Sequence, residues 1–174
     1  MFMTLEIELD GPVATIWMNR PELHNAFDEN LIAELTAACI ALDEDDDIRV
    51  VVLAGRGKSF SAGGDLNWMK RAANNGIDEN LDDARALARM LRTLAEMGKP
   101  TIARVQGAAL GGGMGLAAAC DIAVASTKAF FATSEVKFGI MPSAISPYVL
   151  RAIGARQAYR YFQSAERIDA ARAR

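Results

Sequence analysis

Short apolar runs of β type alternate along this chain with longer stretches in which apolar residues recur every three or four positions. Residues 4–9 and 12–18 form two β-like runs joined at Asp10-Gly11, a pairing that predicts a hairpin. Behind Asp28, an acceptable N-cap, Leu31, Ile32, Leu35, Ala38, Cys39 and Leu42 fall on one helical face. Residues 49–54 are continuously apolar and predict a strand buried on both faces. The stretch from 68 to 76 reads as a polar connection. After it, Leu81, Ala84, Leu87, Leu91 and Leu94 mark an amphipathic helix ended by Gly98 and Pro100. A strand at 101–107, a helix opened by a glycine run and reaching Cys120, and strands in DIAVAS and FFATS come next. Residues 145–163 and 165–174 read as helical. The alternation predicts an α/β fold, and its regularity leaves no room for a linker.

Composition narrows the reading. At 174 residues the chain makes one domain, 1–174, that buries about 70% of its unfolded surface. Asp and Glu total 22 against 19 Lys and Arg, so no basic excess points to nucleic acid. The apolar runs are too short for a membrane span, and the N-terminus begins as a strand rather than a signal, so the cytoplasm is the expected compartment. The acidic run 43–47 lacks the glycine of a calcium loop and reads as a solvated turn. Cys39 and Cys120 sit in apolar helical patterns as buried free thiols without a role.

Several motifs fail. GRGKS would need a glycine five positions before Gly57 to be a phosphate loop, and that position is Val52. His24 is the only histidine, so a zinc site built from paired histidines has no material, and no metal is expected. No G-x-S-x-G elbow gives it a serine partner. The chemistry is left to carboxylates and backbone amides. Two glycine-containing loops, SAGGD after residues 49–54 and ALGGGMG after TIARVQ, leave strand ends where α/β sheets gather ligands. Each presents backbone N–H groups suited to an oxyanion, the second at a helix N-terminus. Glycines that merely allow tight packing would look the same. Twenty residues beyond Gly115 stands Glu135, an acid among small and apolar neighbours.

NRPELHNAF, FSAGGDL, VQGAALGGGMGLAAACDIAVA and FATSEVKFGIMP, in this order, resemble the enoyl-CoA hydratase/isomerase (crotonase) superfamily over essentially the whole chain. The resemblance implies a crotonase-like ββα spiral with stacked small sheets and flanking helices. It implies an acyl-CoA thioester as substrate, no separate cofactor since coenzyme A is part of that substrate, and a homotrimer or hexamer. Family members continue into C-terminal helices beyond the stretch matched here. Carried over by motif, the oxyanion amides fall on Ala62 and Gly112 and the catalytic acid on Glu135. His24, Asn25 and Ala26 match a loop contacting coenzyme A through its backbone, and Phe60, Gly63, Gly64, Asp65 and Leu66 the acyl end.

A second catalytic glutamate of the family falls on Gly115. That departure leaves three readings: a hydratase working with Glu135 alone, a Δ3,Δ2-enoyl-CoA isomerase needing one base, or space at Gly115 for a bulkier or carboxylated acyl chain. The segment after Pro142, in which Ser143 replaces a common glycine and SAISPYV a glycine-rich stretch, is most similar to methylglutaconyl-CoA and γ-carboxygeranoyl-CoA hydratases. A non-catalytic acyl-CoA-binding subunit is the alternative from another class.

Overall fold

The computed structural model describes residues 2–174. Strands β1 (Leu5–Asp10) and β2 (Val13–Met18) form the expected antiparallel hairpin, turned at Gly11. Alternation in β2 puts Ala14, Ile16 and Met18 in the core. In helix α1 (Glu29–Glu44) the Asp28 carboxylate accepts from the Asn30 and Leu31 N–H groups, and the six apolar residues marked by the sequence are the six it buries. Such a cap contributes about 1 kcal/mol.

Strand β3 (Val50–Gly55) runs parallel to β2. Burial on both faces is found only toward its C-terminal end. Val51 and Leu53 are buried on one face; on the other Ala54 is buried, but Val52 lies in a part-buried row with Thr15 and Ile102. The polar connection expected at 68–76 is also corrected: residues Leu66–Ala72 form helix α2, started by Asp65, whose carboxylate accepts from Asn67 and Trp68. A two-turn helix with no buried residue has no apolar stripe to announce it. Helix α3 (Ile77–Ala95) buries Met90, Leu91 and Leu94, whereas Leu81 at its start is exposed.

The chain then supplies β4 (Thr101–Val105), β5 (Ala108–Leu110), α4 (Gly112–Ala119), β6 (Ile122–Ala125), β7 (Phe130–Ala132), α5 (Ser146–Ser164) and β8 (Ile168–Asp169). One sheet has the order β1-β2-β3-β4-β6, parallel after its first pair, and the other β5-β7-β8. The helix expected at 165–174 is not formed. Ala165 takes a left-handed conformation that stops α5, and Ile168 pairs with Phe131 and is buried. Sheet pairing outweighs the helical pattern of so short a stretch. No helix of the described residues is long and apolar enough to cross a membrane.

Single β-bridges tie the connecting loops together: Ser61, in the loop after β3, pairs with Ala109 of β5, and Gly64 in that same loop pairs with Phe27 in the loop after β2. These bridges bring both glycine loops together above the strand ends.

Candidate active site

The loop after β2 is fixed by a residue the sequence reading passed over. Arg20 donates to Asp65 at 3.1 Å and to the Ala26 carbonyl at 2.6 Å, and it pairs with Asp28 at 3.1 Å. It thereby ties together the caps of α1 and α2. Asn25, fully buried with φ of 53°, accepts from the Arg20 N–H and donates to the Arg56 and Ser59 carbonyls. The N–H groups of His24, Asn25 and Ala26 all donate within the protein, to Pro21, Arg20 and Leu23. Only side-chain groups and second carbonyl lone pairs of these three residues are left to meet a ligand. The exposed His24 ring lies 3.0 Å from the Ser59 hydroxyl.

Of the two amides expected to cradle an oxyanion, one is corrected. The Ala62 N–H donates to the His24 carbonyl at 2.9 Å. Two positions later the bridge to Phe27 uses the Gly63 carbonyl and the Asp65 N–H, which leaves the Gly64 N–H without a partner among the described residues. The intervening Gly63 N–H donates to the Ser61 hydroxyl at 3.2 Å, so the free donor of this loop is Gly64. Gly112, the first residue of α4, has an equally unpaired N–H, as helix starts must. The loops touch: a β-carbon on Gly63 would lie 2.7 Å from the Leu110 oxygen and 3.0 Å from the Gly112 nitrogen. Gly112 itself admits no side chain, since its β-carbon would fall 2.1 Å from the Phe27 ring.

Glu135 opens a short 3-10 turn, Glu135–Phe138, directly after β7. Its Oε1 would lie 3.2 Å from a β-carbon on Gly111, whose φ of 52° places it in the region glycine favours. Its Oε2 is buried and makes no hydrogen bond. Burial pushes this carboxyl above its ordinary 4.5, only partly opposed by a hydrogen bond from its own backbone. Glu135 is thus a half-buried acid with an idle oxygen, set against Gly111 at the start of α4.

Gly115 is the second correction. No space stands open there: its β-carbon would lie 2.1 Å from Ile145 Cγ2, and Ile145 is 3% exposed. Ile145 covers Gly115 and takes the volume that a side chain there would fill. Phe60, at 0% exposure, belongs to the core, and Asp65 spends its oxygens on Arg20 and the α2 cap. Leu66 is exposed beside the crevice, Pro142 is buried with its carbonyl accepting from Ser146, and Ser143 is exposed. The buried thiols Cys39 and Cys120 are each pushed up to about 12 by desolvation. No cluster of metal-binding side chains occurs among the described residues.

The family model for enoyl-CoA hydratase/isomerase matches residues 8–174. The chain belongs to that family. A solved enoyl-CoA hydratase from Shewanella pealeana is 45% identical, with a TM-score of 0.96 over 99% of this chain and 65% of its own. The crotonase-like fold expected from the sequence is thus the fold observed. Among curated relatives, 4-chlorobenzoyl coenzyme A dehalogenase-2 of an Arthrobacter species is 36% identical over 88% of this chain and 56% of its own length. A trans-2-decenoyl-acyl-carrier-protein isomerase of Streptococcus mutans is 31% identical over 99% of this chain and 66% of its own. The chain therefore spans two thirds or less of the length of these relatives.

Proposed function

We propose that this protein adds water across the 2,3 double bond of an enoyl-CoA. The Gly64 and Gly112 N–H groups hold the thioester oxygen, and Glu135 is the acid/base. The observation that carries this reading is the unpartnered, buried Oε2 of Glu135, set against Gly111 next to the unpaired Gly112 N–H, with the unpaired Gly64 N–H in the loop that touches it. Water attacks C3 as Glu135 takes its proton. Charge gathers on the thioester oxygen, where each amide is worth roughly 3 kcal/mol by analogy with measured oxyanion holes. Glu135 then returns the proton to C2, so one molecule of water is added in net. The name of the Shewanella relative supports this choice.

Isomerisation of a 3-enoyl-CoA is the second reading, favoured by one observation: Ile145 puts hydrocarbon where a second acid would stand. There Glu135 removes a proton from C2 and delivers it to C4 across the same enolate. A branched or carboxylated acyl group loses its support at Gly115 and rests on the similarity of the SAISPYV segment alone. Assembly as a homotrimer or hexamer belongs to the same proposal and is read by sedimentation.

The test offers the full-length gene product both 2-enoyl and 3-enoyl thioesters, methylglutaconyl-CoA included. Glu135→Gln is expected to bind them undiminished and to lose about 100-fold or more in turnover. Unchanged hydration by that variant overturns the assignment, and binding with no reaction of any substrate by the native protein favours a non-catalytic subunit.

A further inference from the structure

Gly111 and Gly115 are one helical turn apart, joined by the Gly115 N–H to Gly111 carbonyl bond of 3.1 Å, and so share a face of α4. Glu135 covers the first and Ile145 the second. Ile145 comes from the start of α5 and reaches close enough that its Cγ2 occupies the place of any side chain at 115. Helix α4 is uncharged from Gly112 to Ala119, so the face beside the acid is hydrocarbon throughout.

We propose that Ile145 sets the acyl specificity of the site, forming the wall against which the acyl group lies beside Glu135 and excluding groups branched toward the second turn of α4. This rests on the acyl-CoA reading above and narrows it. Bare glycine at 115 would by itself offer room for a branch. With Ile145 seated there, no such room remains, and a carboxylated branch would meet the Ile145 methyl group. The substrate class this favours is an enoyl-CoA slender and uncharged on the side that faces α4. A pocket wall discriminates a single methyl group by about 10-fold to 200-fold, so one side chain suffices to set the preference.

The experiment compares kcat/KM for two enoyl-CoA thioesters that differ by one methyl branch on the acyl chain, in the full-length protein and in Ile145→Ala and Ile145→Val. The native protein is expected to prefer the unbranched ester. Ile145→Ala should raise the branched-to-unbranched ratio by about 10-fold or more, and Ile145→Val should move it the same way by less. If the alanine variant fails to fold, the valine variant carries the test alone. Turnover with an unchanged ratio in the folded variants overturns the role of Ile145 and leaves the acyl-CoA reading standing. No turnover of either ester by the native protein overturns that reading and this inference with it.

Discussion

The close approach of Ile145 to Gly115 is open to a direct stability measurement. Gly115→Ala in the native background places a carbon 2.1 Å from Ile145 Cγ2 and 2.7 Å from its Cβ, and neither atom is the far end of a flexible chain. The overlap should cost about 1–3 kcal/mol, offset in part by the roughly 1 kcal/mol by which alanine is the better helix former. Ile145→Gly removes both clashing atoms and leaves the Ile145 Cα at 3.7 Å, an ordinary contact. Alone it should cost at least the ~2–5 kcal/mol of a large-to-small core change, since Ile145 is 3% exposed. In that background Gly115→Ala should be neutral or stabilising. The predicted coupling is therefore roughly 2 kcal/mol, within the range seen for residues in contact. Urea unfolding of the four proteins followed by circular dichroism measures it, and a thermal scan should show about 2–4 °C per kcal/mol at this chain length. Additivity within ~0.5 kcal/mol would refute the packing on which the reading of Gly115 depends.

Glu135 must be ionised to act as a base, and burial raises its carboxyl. The acid limb of kcat/KM should accordingly lie above 4.5, and a limb at or below that value contradicts the assignment. The sign for stability is opposite to that of a salt-bridged acid: the folded state holds this proton more tightly, so its contribution is present at low pH and lost as pH rises through the folded value. Glu135→Gln should unfold later than the native protein at neutral pH, by up to a few degrees in a thermal scan. For Asp65, burial raises the carboxyl, but the Asn67 and Trp68 N–H groups together with Arg20 outweigh it and hold it below 3.8. The stability this supplies is present above 3.8 and fades as pH falls through the lowered value. Asp65→Asn should flatten that acid loss in a pH series of unfolding midpoints. Arg20→Gln strands two mostly buried carboxylates and should cost about 3 kcal/mol by denaturant titration, far above a surface pair. Cys39 and Cys120, with thiols at about 12, should resist iodoacetamide at pH 8 until the chain is unfolded, which mass spectrometry reads directly.

Periodicity alone located the hairpin, the buried face of α1 with its Asp28 cap, and the C-terminal half of α3, because each is held by local geometry and an apolar stripe that repeats along the chain. The glycine run and Glu135 were legible as chemistry for the same reason: such residues are costly or unusual where they stand. Helix α2 was not, since it buries nothing, and neither was β8, whose pairing with β7 is decided by a strand some forty residues away in sequence. The site shows the division most clearly. Motif order drew the oxyanion hole to SAGGD, but which of its amides is free depends on the bridge that Phe27 makes to Gly64 and on the bond from Ala62 to His24. Sequence also left Gly115 as a space, and only the tertiary structure filled it with Ile145 from another helix. A chain determines what each residue offers, whereas long-range packing determines which of those offers is already taken.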